Sequence, residues 1–197
     1  YAGGIIGLVD YDGYNDVGTV QDCINFGEIT GGQATGGIIG RMKVRSGTYV
    51  NYCVNAYRTT HGGVIGTGNV GGIIGWVDNA SYFYVKGCAN YATVSSNGSD
   101  AVGGIVGRLY GPHSYVRNSV NHGQVTGTGK YMAGIIAKYG VDRNNNPLSN
   151  PRNGTVNSCC NKGNITGSAD HVGGIVGYLE EGYPDGASGD ASKEGAV

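Results

Sequence analysis

Four of the five cysteines, Cys23, Cys53, Cys88 and Cys159, each stand two residues before an asparagine. Thiols that recur at one point of a pattern could pack as small hydrophobes, pair as disulfides or bind a soft metal. The reading here is reduced thiols in a core, because Ser119 takes the place of Cys in a fifth copy. Disulfides are the alternative, since stacked strands bring equivalent Cα atoms to about 4.8 Å, within bridging range. Zinc is unsupported: there is no Cys-x-x-Cys and no His at matching spacing. Cys160 neighbours Cys159 and should point the other way, as an exposed thiol.

Asp10, Asp12 and Asp16 alternate around Gly13 in Asp10-Tyr11-Asp12-Gly13-Tyr14-Asn15-Asp16, an outline that suits Ca²⁺. The twelfth position of such a loop, a bidentate Glu, is Gln21 here, so an Asx-rich turn is the preferred reading. Apart from this calcium candidate, no cofactor is expected. Tyr49, Tyr84 and Tyr115 share a position beside a recurring Val and should point outward as an aromatic row. Such a row could hold sugar rings or a protein partner, or simply stack to stabilise a sheet. His61, His113, His122 and His171 fall at four different positions and read as surface or loop residues. No Ser/His/Asp set can be argued, and the charged residues show no alignment that would make a catalytic groove. The chain is therefore read as a non-enzyme.

These residues are positioned by a repeat. Gly3-Gly4-Ile5-Ile6-Gly7 returns at Gly36–Gly40, Gly71–Gly75, Gly103–Gly107 and Gly173–Gly177, with a worn copy at Ala133–Ala137. The copies start 33, 35, 32, 30 and 40 residues apart, the mark of a repeat protein. A second block lies between them. It has Val at 20, 50, 85, 116 and 156, then Asn at Asn25, Asn55, Asn90, Asn121 and Asn161. Ile29, Thr59, Val94, Val125 and Ile165 follow, then the hydroxyls Thr30, Thr60, Ser95, Thr126 and Thr166. Variable residues alternate with fixed ones, as outward and inward side chains do in a strand.

Short β-branched runs split by Gly and Asn read as strands and turns. The fold expected is all-β, a parallel β-solenoid of about five to six coils, roughly 33 residues and three short strands each. Residues 1–179 form it, and 180–197 are a low-complexity linker or the start of a truncated coil. Gly62–Gly66 reads as an insertion in the second unit. The Asn and Cys columns become ladders along the axis. The Asn side chains are expected to pair from coil to coil and to sit in left-handed turns. The glycines leave room for a close approach to the backbone.

Net charge is −1 with the 13 basic residues scattered, which excludes the basic stripe of a nucleic-acid binder. No apolar run is long enough for a transmembrane helix, so no membrane insertion is expected. The chain opens directly on a repeat, which reads as part of a longer protein.

Repeated Gly-Gly-Ile-[Ile/Val]-Gly with Cys-x-Asn-x-Gly-x-[Ile/Val]-Thr-Gly between resembles the GLUG-motif repeats of large bacterial surface proteins, including adhesin-like proteins and the non-catalytic regions of some immunoglobulin A1 proteases. The resemblance implies an extracellular or cell-surface location and a stalk or adhesive platform for a host protein or glycan. It carries no catalytic residue, because the His-Glu-x-x-His zinc motif of that protease family is absent. The runner-up is a polysaccharide-lyase-like β-helix enzyme; a pure spacer is the third reading.

Overall fold

The computed structural model describes residues 1–11, 18–44, 47–56, 63–78, 82–98, 100–111, 113–140 and 155–180. The first coil contains five short strands: β1 (Ala2–Gly3), β2 (Ile6–Tyr11), β3 (Thr19–Gln21), β4 (Ile24–Asn25) and β5 (Ile29–Thr30). Four further coils repeat the set, and His171–Gly173 and Val176–Glu180 begin a sixth. Each strand pairs in parallel with its equivalent one coil away. This gives two six-stranded and three five-stranded sheets, called here sheets 1 to 5 after the strands of the first coil. The expected all-β parallel solenoid is the observed architecture, and the described residues contain no helix.

Five strands per coil replace the three expected, because two of the three recurring motifs contain a corner. Gly-Gly-Ile-Ile-Gly is not one strand. β1 ends at its first Gly, β2 begins at its second Ile, and the chain bends at Gly4 and Ile5. The bend lets both isoleucines face inward: Ile38 and Ile39 are both fully buried, as are Ile73 and Ile74. A continuous strand sends neighbours to opposite faces. Strict alternation therefore could not reveal the corner.

The second break lies just before the Cys column, and here a left-handed residue makes the turn. Asp22, Tyr52, Asn118 and Ser158 have φ of 54°, 53°, 50° and 52°, and Gly87 completes the column at 66°. The ladder asparagines do not adopt positive φ, contrary to expectation. Their amides are used for coil-to-coil bonding instead. The left-handed conformation falls three residues earlier, where it costs a non-glycine residue about 1 kcal/mol or more.

Register also corrects the second unit. Val64 lies opposite Ile29 and Val94, and Ile65 opposite Thr30 and Ser95. Gly63–Gly66 is thus the fifth strand of the second coil, not an insertion, and Ile65 takes the place assigned to Thr60. Thr59 and Thr60 lie outside the described residues, as do Asp12, Asp16 and positions 181–197.

Two apolar clusters fill the coil. The larger joins Ile38, Ile39, Met42, Val50, Phe83 and their equivalents behind sheets 2 and 3. The smaller packs Val70, Val102 and Met132 of sheet 1 against Val64, Val94 and Val125 of sheet 5. Removal of these branched side chains from water is the main favourable term. The register Val20–Val50–Val85–Val116–Val156 runs unbroken down sheet 3. Ala133, in the worn copy, still sits between Gly103 and Gly173 in sheet 1, so its two alanines leave the ladder in register.

Candidate functional site

The asparagines form one hydrogen-bonded chain. Each Nδ2 donates to the Oδ1 of the next coil: Asn25 to Asn55 and Asn55 to Asn90 at 2.9 Å, Asn90 to Asn121 and Asn121 to Asn161 at 2.8 Å. The second proton of Nδ2 goes to the carbonyl two residues on, at Gly27, Ala92, Gly123 and Gly163. Ala92 takes this bond as well as glycine does. Only a side chain with donor and acceptor in one plane can pair with copies of itself in this way. The close approach expected at the glycines is made by these amides. A Cβ on Gly72 would lie 2.4 Å from Cγ of Asn90 and 2.1 Å from the Gly104 carbonyl oxygen. The role of the ladder is structural.

Cys23, Cys53, Cys88 and Cys159 are all free thiols, with Cys53 and Cys88 buried. Each directs its Sγ to backbone carbonyls. Cys53 reaches the Val20 oxygen at 3.7 Å and Cys88 the Val50 oxygen at 3.5 Å. Ser119, in the same column, donates to the Arg117 carbonyl at 3.0 Å, which explains the exchange of thiol for hydroxyl. The contact with Cys53, together with burial, raises the Cys88 thiol well above the ordinary range, and burial raises Cys159. Cys160 is exposed, as its place next to Cys159 implied.

Tyr49, Tyr84 and Tyr115 are stacked face to face on the outside of sheet 3, with ring centroids 4.9 Å apart and planes 9–10° from parallel. Val50, Val85 and Val116 beside them are buried. Arg117 covers the Tyr115 ring at 4.7 Å. Burial within the stack raises the Tyr84 hydroxyl above its ordinary value, the flanking phenols add to the effect, and Arg117 opposes it. The row is half-buried, so its rings present edges and hydroxyls rather than open faces.

The histidines do not stand alone. His113 stacks on Tyr82 at 4.7 Å, His122 on Tyr91 at 4.6 Å and His171 on Tyr131 at 5.4 Å. In each pair the histidine lies one coil after a tyrosine, a signal present once the units are in register. His61 lies outside the described residues.

A longer feature runs down sheet 2, along a column that the repeat alignment itself lines up. Leu8, Arg41, Trp76, Arg108, Lys138 and Tyr178 are register neighbours, so three cations do share a column, contrary to expectation. Trp76 separates Arg41 from Arg108 in the column, and aromatic rings flank all three. Arg41 lies 4.1 Å from the Trp76 ring and 5.0 Å from Tyr1. Arg108 lies between Trp76 at 5.0 Å and Tyr110 at 4.1 Å. Lys138 lies within 5.1–5.7 Å of Tyr110, Tyr131 and Tyr178. Arg41 is further paired with Asp78 at 2.6 Å. Stacked cations and rings attract by about 0.5–2 kcal/mol per contact, depending on exposure.

Asp10 lies opposite Lys43 and forms an exposed pair with it at 3.7 Å, an ordinary surface contact. Among the described residues, no group of three or more His, Cys, Asp or Glu gathers at one place. The calcium reading rests on Asp12 and Asp16, outside the described residues.

The chain matches no family model and no curated protein. Among solved structures it is similar to a crystal structure named as a "putative immunoglobulin A1 protease" from Bacteroides ovatus. The TM-score is 0.63 at 20% identity, over 91% of this chain and 55% of that one. The likeness shows the shared fold, a β-solenoid. This chain spans about half the length of that neighbour.

Proposed function

We propose that the chain is a non-catalytic solenoid segment of a bacterial cell-surface or secreted protein, of the GLUG-repeat kind, acting as a platform for a host protein or glycan. The observation that carries this reading is the division of labour between faces. Inward columns are identical or apolar, whereas aromatic and charged residues form ordered rows outside. The fold likeness to a longer bacterial protein supports it. The Tyr49–Tyr84–Tyr115 row is the proposed contact surface, because phenol edges and hydroxyls suit both sugars and peptide groups. The test is a triple Tyr→Phe variant and a triple Tyr→Ala variant on an array of host glycans and matrix proteins. Loss of a wild-type signal in both variants supports the row. An unchanged signal in the alanine variant removes it and leaves a spacer.

A lyase reading draws on the column of Arg41, Arg108 and Lys138, since such enzymes work on acidic polymers through basic residues. Release of unsaturated sugar from a pectin-like polymer is its test, and no release leaves the platform reading in place.

A further inference from the structure

Along sheet 2 the alternation of cations and rings fails at one place. Arg108 and Lys138 are direct register neighbours, with no aromatic residue between them in the column. The buried Tyr110 ring, two residues along the strand from Arg108, touches both. Like charges opposite each other on parallel strands repel. A cleft of about 200 Å³ opens beside this step. The next column, on sheet 1, explains why. It carries the small or flat residues Ala34, Asn69 and Ala101, then rises to Tyr131 and His171. Buried Asn69 and Ala101 floor the cleft, Tyr131 makes its wall, and exposed Lys130 and Asp100 stand at its rim. Arg108, Lys130 and Lys138 thus line the cleft together with Asp100, on a chain whose net charge is −1.

We infer that this cleft binds a carboxylate-bearing sugar unit of an acidic glycan, with Arg108, Lys130 and Lys138 facing the carboxylate and Tyr131 facing the pyranose ring. The Arg108 guanidinium packs over both the Trp76 and the Tyr110 rings, which restrain its plane. All guanidinium donors lie in that plane, and its fork matches a carboxylate. The buried Arg108 Nε donor has no hydrogen-bond partner among the described residues. The volume lies below the range for drug-sized ligands, which begins at about 300 Å³, and suits a single ring. Tyr131 supplies the apolar platform on which sugar rings stack, and Asp100 accepts from hydroxyls. The site lies on sheets 1 and 2, whereas the Tyr49 row lies on sheet 3, so either can fail without the other.

The experiment titrates the chain with trigalacturonate, a neutral maltotriose and a sulfated trisaccharide, by calorimetry at two salt concentrations. The variants are Lys130→Glu and Tyr131→Ala; Lys130 is exposed, so its replacement leaves the fold intact. Trigalacturonate is expected to bind, to weaken at least tenfold in Lys130→Glu and several-fold in Tyr131→Ala, and the neutral sugar not to bind. No trigalacturonate binding by the wild type overturns the inference, and so does binding that Lys130→Glu leaves unchanged. Equal or tighter binding of the sulfated sugar also overturns it, since that is general attraction of polyanions.

Discussion

Two ladders run the length of this solenoid at the same spacing and obey opposite rules. The Asn ladder repeats one residue type in all five coils, is largely buried, and closes on itself. The sheet 2 column changes residue at almost every step, faces outward, and is held by contacts between unlike groups. The difference follows from the side chains. An amide is its own complement, so identity strengthens the stack. A guanidinium or ammonium repels its copy about 4.8 Å away, so a row of cations needs rings between them. Where the outward row breaks its own rule, at Arg108 and Lys138, the surface has a cleft lined by both cations.

The comparison is tested most severely at the glycine that faces the amides. Gly72→Ala should cost about 4 kcal/mol or more, because its Cβ would meet backbone 2.1 Å away and the structure must shift. Gly174 occupies the same column and, among the described residues, has nothing within 4 Å of such a Cβ, so Gly174→Ala should change stability by less than about 0.5 kcal/mol. Urea denaturation of the two variants measures the contrast. Equal effects would mean that the close approach of the Gly104 carbonyl and the Asn90 amide does not set the glycine requirement.

Next in size is the amide ladder itself. Asn90→Ala removes bonds to Asn55, Asn121 and Ala92, and leaves buried partners unsatisfied. A loss of about 3 kcal/mol is expected. The same urea titration reads it, and a loss below about 1 kcal/mol would show that identity in this column is not energetic.

The smallest effect concerns the outward row. Trp76→Lys would place four cations in succession, at Arg41, position 76, Arg108 and Lys138, at register distance. It should destabilise by about 1–2 kcal/mol at low salt and recover part of that at high salt, where charges are screened. Thermal melts at two ionic strengths measure this. A salt-independent loss would assign the role of Trp76 to packing alone.

Much of the Asn ladder was legible in the sequence, because five identical residues at fixed spacing have few physical explanations. The Tyr49 row was legible for the same reason: Tyr49, Tyr84 and Tyr115 precede an inward Val in every copy that has them. The sheet 2 column was legible as a set of equivalent positions, but its cation–ring pairing was not. Its members, Leu, Arg, Trp, Arg, Lys and Tyr, share no residue type, and only register shows that the unlike neighbours complement one another. The place of Ile65 was missed because Thr59 and Thr60 imitate the Ile-Thr pair that ends the other units.

The sequence by itself determined the period, the parallel stacking and the identity of the inward columns, since each of these is a repetition along one dimension. The tertiary structure decided where the corners fall. Burial of Ile38 together with Ile39 requires a bend that no alternation rule contains, and φ near 50° at Asp22, Tyr52, Asn118 and Ser158 carries no common residue signature. It also decided which sheets meet. The step from Ala101 to Tyr131 becomes one wall of a cleft only because the corner at Gly104 and Ile105 folds sheet 2 back beside sheet 1 and sets Arg108 and Lys138 next to it.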